Sequence, residues 1–128
     1  MRSSLAALAF ALSLFTPTAT KALGILDGNA LRACLAAGGG HECKAVRLAY
    51  VRGAMEGLAI GAQIAHKKQG NDEPGPYWRC YERIGSADQL FSLYEKFEAE
   101  HPELWTAPVS ALIGGALHPL CSDLFNAR

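Results

Sequence analysis

Apolar residues recur along this chain with the 3.6-residue period of helices, and no stretch shows the period-two alternation of a strand. Four helices are predicted. In the first, over residues 29–37, Ala30, Leu31, Cys34 and Leu35 share one side, Asp27 or Asn29 is available as N-cap, and Gly38-Gly39-Gly40 ends it. The second, over residues 42–67, is the longest and is apolar nearly all round, through Val46, Ala49, Tyr50, Val51, Ala54, Met55, Leu58, Ile60 and Ile64. That pattern predicts a central helix with neighbours on several sides. Arg52 and Glu56 interrupt it four apart, which suits an ion pair and argues against a membrane span.

Residues 69–78 read as a loop, because Gly70, Pro74, Gly75 and Pro76 break regular structure and Asn71, Asp72 and Glu73 make the tip polar. Tyr77 and Trp78 follow directly. A capping box of Ser86 and Gln89 opens the third helix, whose stripe is Leu90, Leu93, Tyr94 and Phe97. Glu95, Glu98 and Glu100 give it an acidic outer face, read as solvated surface, and His101-Pro102 stops it. The fourth starts near Thr106 with Pro108 in its first turn, carries Val109, Leu112, Ile113, Ala116, Leu117 and Leu120, and closes at His118-Pro119-Leu120-Cys121. The fold class that follows is all-α, a small antiparallel bundle of four helices.

One pattern runs against helix propensity. Gly53, Gly57 and Gly61 recur every fourth residue along the second helix, each at a cost of about 1 kcal/mol relative to Ala. The gain that offsets this is close approach of another helix, inside the fold or across a dimer interface. Gly114 and Gly115 invite a similar contact.

The N-terminus adds a destination. Arg2, an uncharged apolar run over residues 5–15, Pro17 and then small residues up to Ala22 have the form of a secretory signal peptide, with cleavage after Ala22. The run is shorter than the roughly 20 residues a bilayer span needs, so no membrane insertion is expected after cleavage. Residues 23–128 then form one exported domain. Lys and Arg balance Asp and Glu at 12 each, and loss of Arg2 and Lys21 leaves the remainder slightly acidic. That balance gives no electrostatic footprint for nucleic acid.

Cys34, Cys43, Cys80 and Cys121 all lie beyond the leader, and an even number in a small exported domain predicts two disulfides. Spacing favours Cys34–Cys43 across the glycine-rich turn with Cys80–Cys121, while Cys34–Cys121 with Cys43–Cys80 stays open. His41-x-Cys43 and His118-x-x-Cys121 put a His near a Cys, but there is no C-x-x-C pair, and no metal or other cofactor is expected. No nucleophile elbow, zinc-protease, Walker or dinucleotide motif occurs, and His41, His66, His101 and His118 are scattered, so no catalytic residue is assigned. The candidate site is a partner-binding one: Asn71, Asp72, Glu73, Tyr77 and Trp78, since Tyr and Trp dominate interface hot spots. The competing reading has Trp78 covering a disulfide beside Cys80.

The order of these features resembles a known family. Cys34 lies in a short first helix, and a Cys43-led helix contains Ala49-Tyr50-Val51-x-Gly53. Cys80 comes next, then a helix running into His101-Pro102-Glu103, and last Ala111-Leu112-Ile113 with Ala116-Leu117-x-Pro119-x-Cys121. Over residues 26–121 this resembles the Rap/Tai immunity proteins associated with type VI secretion. Cys43 stands further from Tyr50 than is usual there, and no Pro follows Cys80 closely. The resemblance implies an all-helical, disulfide-bonded, often dimeric periplasmic protein that binds and blocks a peptidoglycan-cleaving amidase toxin. It implies a protruding loop as the inhibitory element, for which residues 71–78 are the segment available. A second likeness, to the small Hde acid-stress chaperones, implies instead a periplasmic chaperone whose acidic third helix responds to pH.

Overall fold

The computed structural model describes residues 26–127; the expected leader and its cleavage after Ala22 lie outside the described residues. Five α-helices follow in order, α1 (Gly28–Ala36), α2 (His41–Lys68), α3 (Pro76–Arg83), α4 (Ala87–Glu100) and α5 (Val109–Asn126), with a 3-10 turn at Pro102–Leu104 between the last two. The fold is all-α, with one more helix than expected.

Local chemistry explains most boundaries. Asp27 caps α1, its carboxylate accepting from the Ala30 amide at 2.7 Å. Gly38, Gly39 and Gly40 all take positive φ, a run that residues with a Cβ rarely adopt, and turn the chain into α2. Ser86 caps α4 by accepting from the Gln89 amide, while the Gln89 side chain accepts from Gly85 N–H.

Two boundaries correct the sequence reading. Pro76 was expected to break structure, yet it occupies the first turn of α3, where its missing N–H is no loss. Tyr77 and Trp78 therefore belong to a helix and not to the loop. Pro119 was expected to close the last helix, but α5 runs through it to Asn126, its N-cap being Pro108. Cys121 fastens that last stretch to α3 through the Cys80 disulfide, Leu124 and Phe125 pack on the core, and Arg83 donates to the Leu120 carbonyl. These ties outweigh the one hydrogen bond Pro119 removes.

The core is a single cluster built on Val51 and Met55 of α2, Cys80 of α3, Leu90, Phe91 and Tyr94 of α4, and Val109, Leu112, Ile113 and Leu117 of α5. Helix α2 touches all four other helices, but over one face: the buried stripe Cys43, Arg47, Val51, Met55 and Ala59, flanked by half-buried Leu48, Tyr50, Ala54 and Leu58. Its opposite face is open, with Val46, Ile60 and Ile64 63%, 52% and 53% exposed. The expectation of neighbours on several sides is corrected to neighbours on one. No atom lies within 4 Å of where a Cβ would stand on Gly53, Gly57 or Gly61, so among the described residues no helix of the same chain packs on that stripe. Close approach occurs instead at Gly115 of α5, where a Cβ would overlap the Phe97 ring of α4.

The disulfides are Cys34–Cys43 and Cys80–Cys121, the pairing that spacing favoured. The first ties α1 to α2 and the second ties α3 to α5. Among the described residues no helix is long and apolar enough to cross a membrane.

A candidate partner-binding edge

The candidate residues fall at one corner, where α2 ends and α3 begins. Helix α2 stops because Gly70 takes a φ of 84° and returns its amide to the Lys67 carbonyl. Asn71 folds back, its side-chain amide donating to the His66 carbonyl. Asn71, Asp72, Glu73 and Pro74 are exposed, and Gly75 then dives under α2, donating to Gln63 Oε1 at 2.7 Å. The tip is therefore short, polar, and pinned at both ends.

The two aromatics diverge from there. Tyr77, 36% exposed, sets its ring 4.9 Å from that of Phe125 near the end of α5. Trp78 is half-buried; its indole N–H donates to Glu82 at 2.8 Å and its ring lies 6.1 Å from that of Tyr81. With Tyr81, Glu56, Ala59 and Ile60 it lines a hollow of about 130 Å³. A larger hollow of about 360 Å³, lined by His66, Gln69, Gly75, Pro76, Tyr77 and Trp78 among others, opens at the loop base. The arrangement presents a polar tip, an exposed phenol and shallow apolar recesses, the elements from which a protein partner gains affinity.

A second constellation escaped the sequence reading. Glu98 of α4, expected on a solvated acidic face, is 1% exposed. It accepts from Arg47 of α2 at 2.5 Å, from Arg32 of α1 at 2.8 Å and from the Tyr94 hydroxyl at 3.0 Å. Arg47, 3% exposed, also donates to Glu95 at 3.0 Å, while its Nε has no partner among the described residues. Arg32 lies over the Trp105 ring, whose N–H donates to the Glu98 carbonyl. Burial, then the Glu98 charge beside it, pushes the Tyr94 hydroxyl far above its ordinary range. The cluster clamps three helices together.

Elsewhere carboxylates are held below their ordinary range: Glu56 chiefly by the hydrogen bond from Arg52, Asp123 by that from Arg83, and Glu103 by its own backbone amide and then His101. A depressed carboxylate lends stability at neutral pH that is lost as pH falls through the ordinary values, 4.5 for Glu and 3.8 for Asp, toward the lower folded ones. The melting temperature is accordingly expected to be level near neutrality and to decline below about pH 4.5. Melts from pH 7 to pH 2.5 check this, with Glu56→Gln and Asp123→Asn together giving a shallower acid limb; an unchanged limb would assign the decline to other groups.

The described residues thus define a disulfide-stapled all-α domain whose four cysteines are all bonded. No protein-family model, no curated protein and no solved structure matches the chain.

Proposed function

We propose that the chain is an exported binding protein of the Rap/Tai immunity type, which blocks a peptidoglycan-cleaving amidase in the periplasm and has no catalysis of its own. The observation that carries this reading is the edge at residues 71–78: four exposed tip residues and the exposed Tyr77 on a base fixed by Gln63, the Asn71 amide and the Cys80–Cys121 disulfide. A loop already held in place loses little conformational freedom on binding, so its contacts convert into affinity. The ordered motifs over residues 26–121 supply the identity of the partner class.

The reading is tested by titrating purified peptidoglycan amidases encoded beside this gene with the exported protein and following cleavage of isolated cell wall. Stoichiometric inhibition is expected, with Tyr77→Ala raising Kd roughly thirtyfold, the ~2 kcal/mol of a hot-spot aromatic. Failure to bind or inhibit any such amidase would overturn the immunity reading. Unweakened inhibition by Tyr77→Ala combined with Asp72→Ala and Glu73→Ala would remove the loop from it.

A second reading, an acid-stress chaperone of the Hde type, draws on the depressed carboxylates Glu56, Glu103 and Asp123, whose protonation loosens the fold in acid. Protection of diverse client proteins from aggregation near pH 3, absent at pH 7, would select it over the first.

A further inference from the structure

The two disulfides stand in opposite surroundings. Cys80 and Cys121 are fully enclosed by the core, whereas Cys34 is half-buried and Cys43 is 5% exposed, on a ring whose glycine turn lies at the surface. The outer pair is also electrically unequal. Cys34 lies in the last turn of α1, at the negative end of its dipole, and Cys43 in the first turn of α2, at the positive end. The N-cap of α2 is Gly40, which has no side chain to bond the amides of that turn. His41 and Lys44 flank Cys43, and Arg47 stands one turn on along the same stripe, its Nε without a partner among the described residues. The carboxylate of that turn, Glu42, is adjacent in sequence and so faces another side.

We infer that the Cys34–Cys43 bond is a thiol–disulfide exchange site, open to a protein dithiol of the C-x-x-C class, while Cys80–Cys121 is closed to it. The attacking thiolate bonds to Cys34 Sγ, the more exposed sulfur, as the Cys34–Cys43 bond breaks. The electron pair leaves on Cys43 Sγ, where the positive end of α2 and the neighbouring cations hold a thiolate best. The second thiol of the reductant then attacks its own sulfur in the mixed disulfide and releases Cys34. Two electrons pass to the chain: the dithiol becomes a disulfide, and the protons it gives up balance those taken by Cys34 and Cys43. Helix α1 keeps its other ties through the exchange. Leu31 is buried, Arg32 holds Glu98, and the Gly28 and Asn29 amides donate to the Ala107 and Trp105 carbonyls. The tip at residues 71–78 lies beyond the far end of α2, about 35 Å away at 1.5 Å per residue, so the inference stands whether or not an amidase is the partner.

The experiment incubates the exported, oxidised protein with a reduced thioredoxin-class dithiol under native conditions, alkylates it at intervals and maps the label by mass spectrometry. Cys34 and Cys43 are expected to take label roughly a hundredfold faster than Cys80 and Cys121, whose release requires global opening. Circular dichroism is expected to show the helices intact after the first pair has reacted. A reductant whose second cysteine is changed to serine cannot resolve the mixed disulfide, and it is expected to be trapped on Cys34. All four cysteines labelled at one common rate would mean reduction by unfolding and overturns the inference, as does a folded protein in which none is labelled. A mixed disulfide trapped on Cys43 overturns the assignment of attacked and departing sulfurs.

Discussion

Glu98→Ala is expected to be the most damaging single substitution outside the apolar core, lowering stability by about 3–5 kcal/mol, the cost of breaking a buried ion pair by removing one partner. The carboxylate is the common acceptor for Arg47, Arg32 and the Tyr94 hydroxyl, and its loss leaves a guanidinium that is 3% exposed without its closest counter-charge. Glu95 holds only one other nitrogen of Arg47 and is itself half-exposed, so it cannot compensate. A domain of this size has about 5–15 kcal/mol in hand, and each kcal/mol moves its melting temperature by about 4–8 °C. A fall of at least ~12 °C is therefore expected. The paired change Arg47→Met with Glu98→Leu is expected to recover most of it, because the charges' desolvation cost disappears with them. Denaturant melts of the three proteins check the sign and the size. A Glu98→Ala cost below ~1 kcal/mol, the range of surface pairs, would mean that water reaches the cluster.

The second large effect concerns the disulfides, which close loops of different length. Cys80 and Cys121 are 41 residues apart, Cys34 and Cys43 only 9. In the chain-entropy account, opening the longer loop costs about 4 kcal/mol and the shorter about 2.7 kcal/mol. Cys80 and Cys121 are also fully buried among core side chains, so their loss removes packing as well. The Cys80→Ala, Cys121→Ala protein is therefore expected to be clearly less stable than the Cys34→Ala, Cys43→Ala protein in urea. Equal losses, or the reverse order, would show that α1 contributes more to the fold than its short contact with α2 and α5 suggests.

Much of this architecture is written in local chemistry. Asp27, Ser86 and the glycine triplet 38–40 declare helix ends through their own hydrogen bonds and dihedrals, and the stripe at Leu90 and Tyr94 declares a buried face. Proline bounds helices as expected at Pro102 and Pro108 but misled at Pro76 and Pro119. Its meaning depends on whether the neighbouring residues have somewhere to pack, which is a tertiary fact. Helix α3 was hidden for the same reason: eight residues rich in Arg, Glu and aromatics, PYWRCYER, become a helix by lying on α2 and α5. The Arg47–Glu98 clamp left a trace that could be read. Arg47 falls on the every-fourth-residue stripe of Cys43, Val51 and Met55, and Glu98 falls four after Tyr94 and seven after Phe91. Opposite charges placed on the apolar stripes of two helices are a signal for each other. The candidate edge was legible as residue types, but the divergence of Tyr77 and Trp78 was not, since it follows from helix α3.

The separation of the cysteines also sets an order in time. A chain emerges N-terminus first, so Cys34 and Cys43 are together while Cys80 still waits for a partner 41 residues behind it. A ring of 9 residues costs less entropy to close than one of 41, so closure of the short ring first is favoured, and once it is closed one route remains for Cys80. The glycine turn that lets the short ring close thus also guards the long one against mispairing.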